Sequence, residues 1–132
     1  MKKWVFLFLM SILLAVSGCI NENYDGIEEI STEEMQTLLE MDDVQLLDVR
    51  TPEEFDEGFI AGAQNIDFES ETFNEDIQKL DKTKPVILYC RTGGRSARCA
   101  KKMIEAGFVK VYDLDGGISA WEHEGLKVIL PE

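Results

Sequence analysis

Residues 85–102 read PVILYCRTGGRSARCAKK, an apolar run that ends on a cysteine and turns through two glycines into a basic helical pattern. Val86, Ile87, Leu88 and Tyr89 are apolar without alternation, the pattern of a strand buried on both faces. Cys90 therefore stands at the carboxyl end of that strand. Gly93 and Gly94 give the backbone freedom for a tight loop. The helical pattern begins near Arg95 and Ser96, so several unpaired amide hydrogens face the loop interior. Such a loop cradles anions. The helix dipole, Arg91 and Arg95 push a thiol at this place toward thiolate, which makes Cys90 a working nucleophile.

Working outward, the helix runs to about Ala106 with Gly107 as its cap, and Val109 to Tyr112 reads as the next strand. Gly116-Gly117 opens a helix through Trp121 and His123, Gly125 closes it, and Lys127 to Leu130 reads as a last short strand. Upstream, Ser31-Thr32-Glu33-Glu34 has capping-box spacing, and Met35, Leu38 and Leu39 form one apolar helix face. Val44 to Val49 is a strand with Asp48 and Arg50 at its carboxyl end. Thr51-Pro52-Glu53-Glu54 starts a second helix, Ala63 to Ile66 is a short strand, and Phe73, Ile77 and Leu80 mark a further helix. Strands alternating with helices predict an α/β chain, with a largely parallel sheet of about five strands covered on both faces. Ligands bind beyond the carboxyl strand ends in such sheets, where Asp48, Arg50 and Cys90 converge.

The 132 residues allow one domain and a leader. Lys2 and Lys3 precede an apolar stretch from Trp4 to Val16, too short to span a bilayer comfortably, so residues 1–18 read as an export signal. The stretch Leu14-Ala15-Val16-Ser17-Gly18-Cys19 resembles the bacterial lipobox. That resemblance implies lipidation of Cys19, residues 19–27 as a tether, residues 28–132 as the folded domain, and a bacterial lipoprotein held on a membrane outside the cytoplasm. An ordinary secretory signal with a chance cysteine is the alternative. The net charge of −13 argues against nucleic acid as a partner. Against that background Arg91, Arg95, Arg98, Lys101 and Lys102 lie together in a stretch without an acid, which favours a small anionic substrate beside Cys90. A solvated helix face accounts for Lys101 and Lys102.

A disulfide between Cys90 and Cys99 would join the loop to its own helix with poor geometry, so Cys99 reads as a small buried residue. One histidine and scattered cysteines offer no metal-ligand spacing, and no cofactor is expected. His123 reads as surface; Trp121 and Tyr89 read as core.

Four segments together, LLDVRTPEEF (46–55), GFIAGAQNI (58–66), CRTGGRS (90–96) and VYDLDGGISAW (111–121), resemble a single-domain rhodanese, a sulfurtransferase. The resemblance covers about residues 28–130. It implies the rhodanese-like three-layer fold and a Cys90 that takes sulfane sulfur from thiosulfate or a similar anionic donor as a persulfide. The acceptor would be cyanide or a thiol. Loop amides from Arg91 to Ser96, with Thr92, Gly93 and Gly94 between, would hold the persulfide. Arg91 and Arg95 would bind the donor, and the Thr92 and Ser96 hydroxyls would add donors, unless Ser96 is a plain helix cap. Asp48 and Arg50 would support the loop floor, Arg50 by pairing with Glu54 and Asp48 by capping nearby backbone. Where the family usually writes Gly-His-Ile-Pro-Gly-Ala, this chain has Gly58-Phe59-Ile60-Ala61-Gly62-Ala63, which removes no group from the cradle.

Two alternatives stand beside this reading. A tethered persulfide carrier or binding module would need the same residues. A phosphatase or arsenate reductase of related fold would need a longer loop than the four residues, Arg91 to Gly94, that separate Cys90 from Arg95.

Overall fold

The computed structural model describes residues 24–41 and 43–132. Five parallel strands, β1 (Ile27–Ile30), β2 (Gln45–Asp48), β3 (Gln64–Asn65), β4 (Val86–Tyr89) and β5 (Val111–Leu114), form one sheet in the order β1-β5-β4-β2-β3. The helices are α1 (Thr32–Leu39), α2 (Pro52–Asp56), α3 (Phe73–Asp76), α4 (Gly94–Glu105) and α5 (Gly117–His123), with a 3-10 turn at Ile77–Lys79 after α3.

Strand alternation divides the core into two layers. Val86, Leu88 and Cys90 pack with Leu47, Val49 and Val111 against Phe73, Ile77, Cys99, Ala100 and Met103, which come from α3, the 3-10 turn and α4. Ile87 and Tyr89 point the other way, toward Met35 of α1 and Ile118 and Trp121 of α5. A central strand apolar at every position has an apolar partner on both sides, which is why β4 carries no polar residue. α1 starts with the capping box, the Ser31 hydroxyl accepting from the Glu34 amide and the Glu34 carboxylate from the Ser31 amide.

The sheet differs from the sequence expectation at its margins. Lys127–Leu130 is not a strand: this segment makes an isolated antiparallel bridge, Phe59 to Ile129. The fifth strand is instead β1, whose Ile-Glu-Glu-Ile sequence at the tether-to-domain junction shows no strand pattern because, at the sheet edge, Ile30 alone is buried. β5 lies two residues later than the reading Val109–Tyr112; Val109 is exposed, and the ladder takes in Asp113. The helix expected over Phe73, Ile77 and Leu80 breaks into α3 and the 3-10 turn.

The turn before α5 carries the tightest backbone approach beside the Cys90 loop. Gly117 has φ +59, and a Cβ there would lie 2.5 Å from the Cys90 carbonyl oxygen and 2.6 Å from that of Arg91. Gly117→Ala combines a left-handed backbone with a clash against main chain. It is expected to lower the unfolding free energy by about 2 kcal/mol or more, measured by urea denaturation. Unchanged stability would show that this approach is looser than described.

Candidate functional site

Cys90 follows the last residue of β4 and is 1% exposed, at the bottom of the loop. The loop wraps it with donors. The Gly93 amide donates to Sγ at 3.1 Å, and Gly93 holds φ +121 to place that amide, a conformation side chains other than hydrogen resist. The amides of Thr92 and Ser96 also act to lower the thiol's pKa. The Ser96 hydroxyl lies 3.5 Å from Sγ and donates to the Gly93 carbonyl at 3.1 Å. Burial opposes ionisation of Cys90, and the Ser96 hydroxyl with the amides of Ser96, Gly93 and Thr92 outweighs it, leaving the thiol below its ordinary value. The sulfur is thus packed inward yet ringed by donors.

The loop's carbonyls are held from outside. The Ile118 amide donates to the Cys90 carbonyl at 2.9 Å and the Ser119 amide to that of Arg91 at 3.0 Å. With the Arg91 carbonyl turned to α5, the N–H of the same peptide, that of Thr92, turns the opposite way, toward the sulfur. α4 begins at Gly94 with Gly93 as its N-cap, so Ser96 is inside the helix and not its cap.

The two arginines of the loop separate. Arg95 is bound by Glu54 of α2 through two hydrogen bonds, 3.1 and 2.7 Å, the bidentate geometry that suits guanidinium and carboxylate. Arg91 is exposed and lines a small polar cleft with Arg50, Glu57, Gly58, Ser119 and Glu122. Thr92 is exposed and contributes its amide.

Arg50 does not pair with Glu54, which Arg95 occupies. Arg50 closes on Asp48 instead: Nε donates to both carboxylate oxygens at 2.9 and 3.0 Å, and Nη2 to Oδ2 at 2.6 Å and to the Gly58 carbonyl at 2.7 Å. Asp48 also caps the Arg50 amide at 3.0 Å. This buried pair ties the end of β2 to the 58–62 segment. Cys19 lies outside the described residues.

Asp113 escaped the sequence reading. An acid inside a short strand has poor β propensity, which ended the expected strand at Tyr112 and left Asp113 outside it. The ladder pairs Asp113 with Leu88, and alternation from Val111 turns it toward α4. It is 5% exposed, and its Oδ1 has no hydrogen-bond partner. Burial pushes its carboxyl up to about 6, with Glu29 and Asp115 adding to the rise and the Ser96 side chain opposing it. The pairing of Glu54 with Arg95 and the α5 amides were also missed; the alternation of β5 was the signal available for Asp113.

The model of the rhodanese-like domain matches residues 31–124. The chain belongs to the rhodanese-like family. It is 34% identical over 107 residues to a sulfurtransferase of Allochromatium vinosum, covering 80% of this chain and 98% of that one. It is 35% identical over 99 residues to the thiosulfate sulfurtransferase GlpE of Shewanella oneidensis, covering 75% and 95%. The crystal structure of a rhodanese-like domain protein from Staphylococcus aureus superposes with TM-score 0.67 at 31% identity, covering 80% of this chain and 99% of that one. The solution structure of the polysulfide-sulfur transferase homodimer of Wolinella succinogenes gives TM-score 0.67 at 29% identity, covering 81% of each. The rhodanese-like fold expected from the motifs is therefore the fold this chain has. Among the described residues no three His, Cys, Asp or Glu side chains cluster as metal ligands.

Cys99, fully buried, has its thiol pushed up by burial, with Asp113 adding to the rise. The two thiols of the rhodanese-like domain should therefore separate by pH. Iodoacetamide is expected to label Cys90 with a half-maximal rate below the ordinary thiol value of about 8.5. Cys99 should stay unlabelled until the protein unfolds. Peptide mass spectrometry across pH measures both, and labelling of Cys99 in parallel with Cys90 would overturn the assignment.

Proposed function

We propose that the chain is a sulfurtransferase that moves sulfane sulfur from thiosulfate or a similar anionic donor to a thiophilic acceptor, cyanide or a thiol, through a persulfide on Cys90. The observation that carries this reading is the buried Cys90 sulfur at the strand end, accepting from the Gly93 amide at 3.1 Å in a loop whose Thr92 and Ser96 amides also favour its thiolate. Family membership and the names of its relatives support the same class of reaction.

The Cys90 thiolate attacks the sulfane sulfur. A sulfur–sulfur bond forms to Cys90, the bond to the sulfite sulfur breaks, and sulfite departs with the electron pair. The persulfide is an anion, and preorganised amides stabilise it without reorganising. In the second half the acceptor's lone pair attacks the outer sulfur, and Cys90 leaves as thiolate. Arg91 is the loop arginine available to meet the donor, because Arg95 is held by Glu54. Arg95 thereby fixes the α4 end of the loop against α2.

The purified protein is expected to form thiocyanate from thiosulfate and cyanide. Cys90→Ser should abolish turnover, a loss of at least about 10³-fold, while Cys99→Ser retains it. Intact mass after thiosulfate treatment should show one added sulfur, mapped to Cys90. Full turnover by Cys90→Ser would remove the nucleophile. Sulfur loading without turnover for any acceptor would make the chain a persulfide carrier.

The leader supports a place for this chemistry. We propose that residues 1–18 are removed and that Cys19 is lipidated, tethering the domain to a membrane of the bacterial envelope outside the cytoplasm. Its support is the run from Lys2 to Cys19 in the sequence. In a bacterial host the full chain should fractionate with membranes, and Cys19→Ser should release it; membrane association unchanged by that substitution would overturn the tether.

A further inference from the structure

Arg50 has more hydrogen-bonding capacity than its pairing uses. The residue is 4% exposed. Its Nε and Nη2 are taken by Asp48 and the Gly58 carbonyl, and Nη1 makes no hydrogen bond among the described residues. A guanidinium nitrogen sealed in the interior without a partner is costly. Among the described residues the sealed side-chain polar atom without a partner is Asp113 Oδ1, and Nη1 is not one. Nη1 therefore reaches open space. The open space beside Arg50 is the polar cleft of about 140 Å³ between the end of α2, the Cys90 loop and α5. A buried cation, fixed by Asp48, thus offers N–H donors into a cavity.

The cleft carries both signs of charge. Arg91 brings a second guanidinium, and Glu57 and Glu122 bring carboxylates from the end of α2 and from α5. No ion pair among the described residues joins Arg91 to either glutamate. Arg50 Nη1 and Arg91 suit the two oxygens of a carboxylate, and the glutamates suit an ammonium. Three carboxylates, Asp48 included, stand against two guanidinium groups, so a dianion such as thiosulfate is disfavoured there. The volume fits an α-amino-acid head and is well below the roughly 300–1,000 Å³ of sites for larger ligands. Ile118 and Ser119 line the cleft, and their amides donate to the Cys90 and Arg91 carbonyls at 2.9 and 3.0 Å. A molecule held in the cleft therefore lies against the backbone of the nucleophile loop.

We infer that this cleft is the acceptor subsite and that it selects a thiol carrying an α-amino-acid head, with the carboxylate on Arg50 Nη1 and Arg91 and the ammonium between Glu57 and Glu122. The thiol end extends past Arg91 to the mouth of the loop. There the acceptor, its S–H proton already given to water, attacks the outer sulfur of the Cys90 persulfide as thiolate. A sulfur–sulfur bond forms to the acceptor, the bond to Cys90 breaks, and Cys90 leaves with the electron pair as thiolate. The step yields the acceptor's persulfide and needs no further oxidant or reductant. The role of acceptor rests on the sulfur-transfer reading; the cleft as a site for an amino-acid head does not.

Two measurements on the full chain test this. The first needs no sulfur transfer: S-methyl-L-cysteine, which has the head and no thiol, is titrated while backbone amide NMR is recorded. Saturable shifts at Gly58, Arg91 and Ser119 are expected. Glu57→Gln combined with Glu122→Gln, both at exposed positions, should weaken the binding at least about tenfold. No shift at those three residues, as for a cleft that holds only water, or equal affinity in the double variant, would overturn the site. The second follows discharge of Cys90 loaded from thiosulfate, compared at equal thiolate concentration of each acceptor. Free L-cysteine should act at least about tenfold faster than mercaptoethanol, which has neither charge. Mercaptopropionate, without the ammonium, and cysteamine, without the carboxylate, should fall between. The double variant should lose the preference for cysteine over mercaptopropionate. Equal rates for all four thiols would overturn the acceptor role. If thiosulfate fails to load Cys90, sulfur transfer falls and the S-methyl-L-cysteine titration still decides the cleft; if that titration fails, loading of Cys90 is untouched.

Discussion

The site depends on two backbone hydrogen bonds that reach across the sheet's carboxyl edge, from the Ile118 and Ser119 amides to the Cys90 and Arg91 carbonyls. A peptide unit has two polar ends. Tying the Cys90 and Arg91 carbonyls to α5 points the N–H groups of the same two peptides the opposite way, and that of Thr92 is one of the amides that favour the Cys90 thiolate. The same constraint explains Gly117, since a side chain there would stand where those carbonyls stand. The start of the loop, and with it the Thr92 amide, is thus oriented by how closely α5 approaches the end of β4. That closeness is set by Ile118 and Trp121 burying themselves against Ile87 and Tyr89.

A second anchoring system holds the neighbouring segment, and it works through main-chain atoms. The Arg50 guanidinium, closed on Asp48, reaches the Gly58 carbonyl, and the Tyr89 hydroxyl accepts from the Ile60 amide at 3.1 Å. Neither contact uses the side chain of Phe59 or Ala61, the two positions where this chain departs from the family's usual residues. Phe59 instead stacks on Phe55 of α2, ring centroids 4.1 Å apart. The departure changes the outer surface while the backbone stays pinned. A buried ion pair such as Asp48–Arg50 is a poor source of net stability because both charges lose their water. Its value lies in direction, a fork that can bind a carboxylate and a carbonyl at once.

Much of this was legible in the chain. The uniformly apolar β4, the cysteine at its end and the glycines after it specify the strand, the nucleophile and the loop, because each follows from local chemistry. Asp48 and Arg50 were placed correctly at the end of β2, and Asp48 caps nearby backbone as expected, but the partner expected for Arg50 was not the one it has. Glu54 is close to Arg50 in sequence, whereas it reaches Arg95 only after α2 and α4 meet. β1 was unreadable for a related reason: an edge strand with two glutamates shows no pattern of its own, and its existence is decided by the ladder with β5. Lys127–Leu130 had the composition of a strand and nothing to pair with beyond Phe59. Local signals sufficed wherever a residue's neighbours in sequence are also its neighbours in space.

Asp113 marks the limit of that rule from the other side. Its carboxyl costs about 1–3 kcal/mol if left unpaired in the interior, and burial already moves its titration to about 6. Folding for stability alone would favour an apolar residue at this ladder position, between Val111 and the end of the strand, with Leu88 beside it. The acid is tolerated because it can shed its charge by holding a proton, which burial favours. At Cys90 the balance is the reverse: burial opposes the thiolate, and the Ser96 hydroxyl with the loop amides outweighs it. Two buried acids under one sheet edge are thus driven to opposite charge states by the presence of donors at one and their absence at the other.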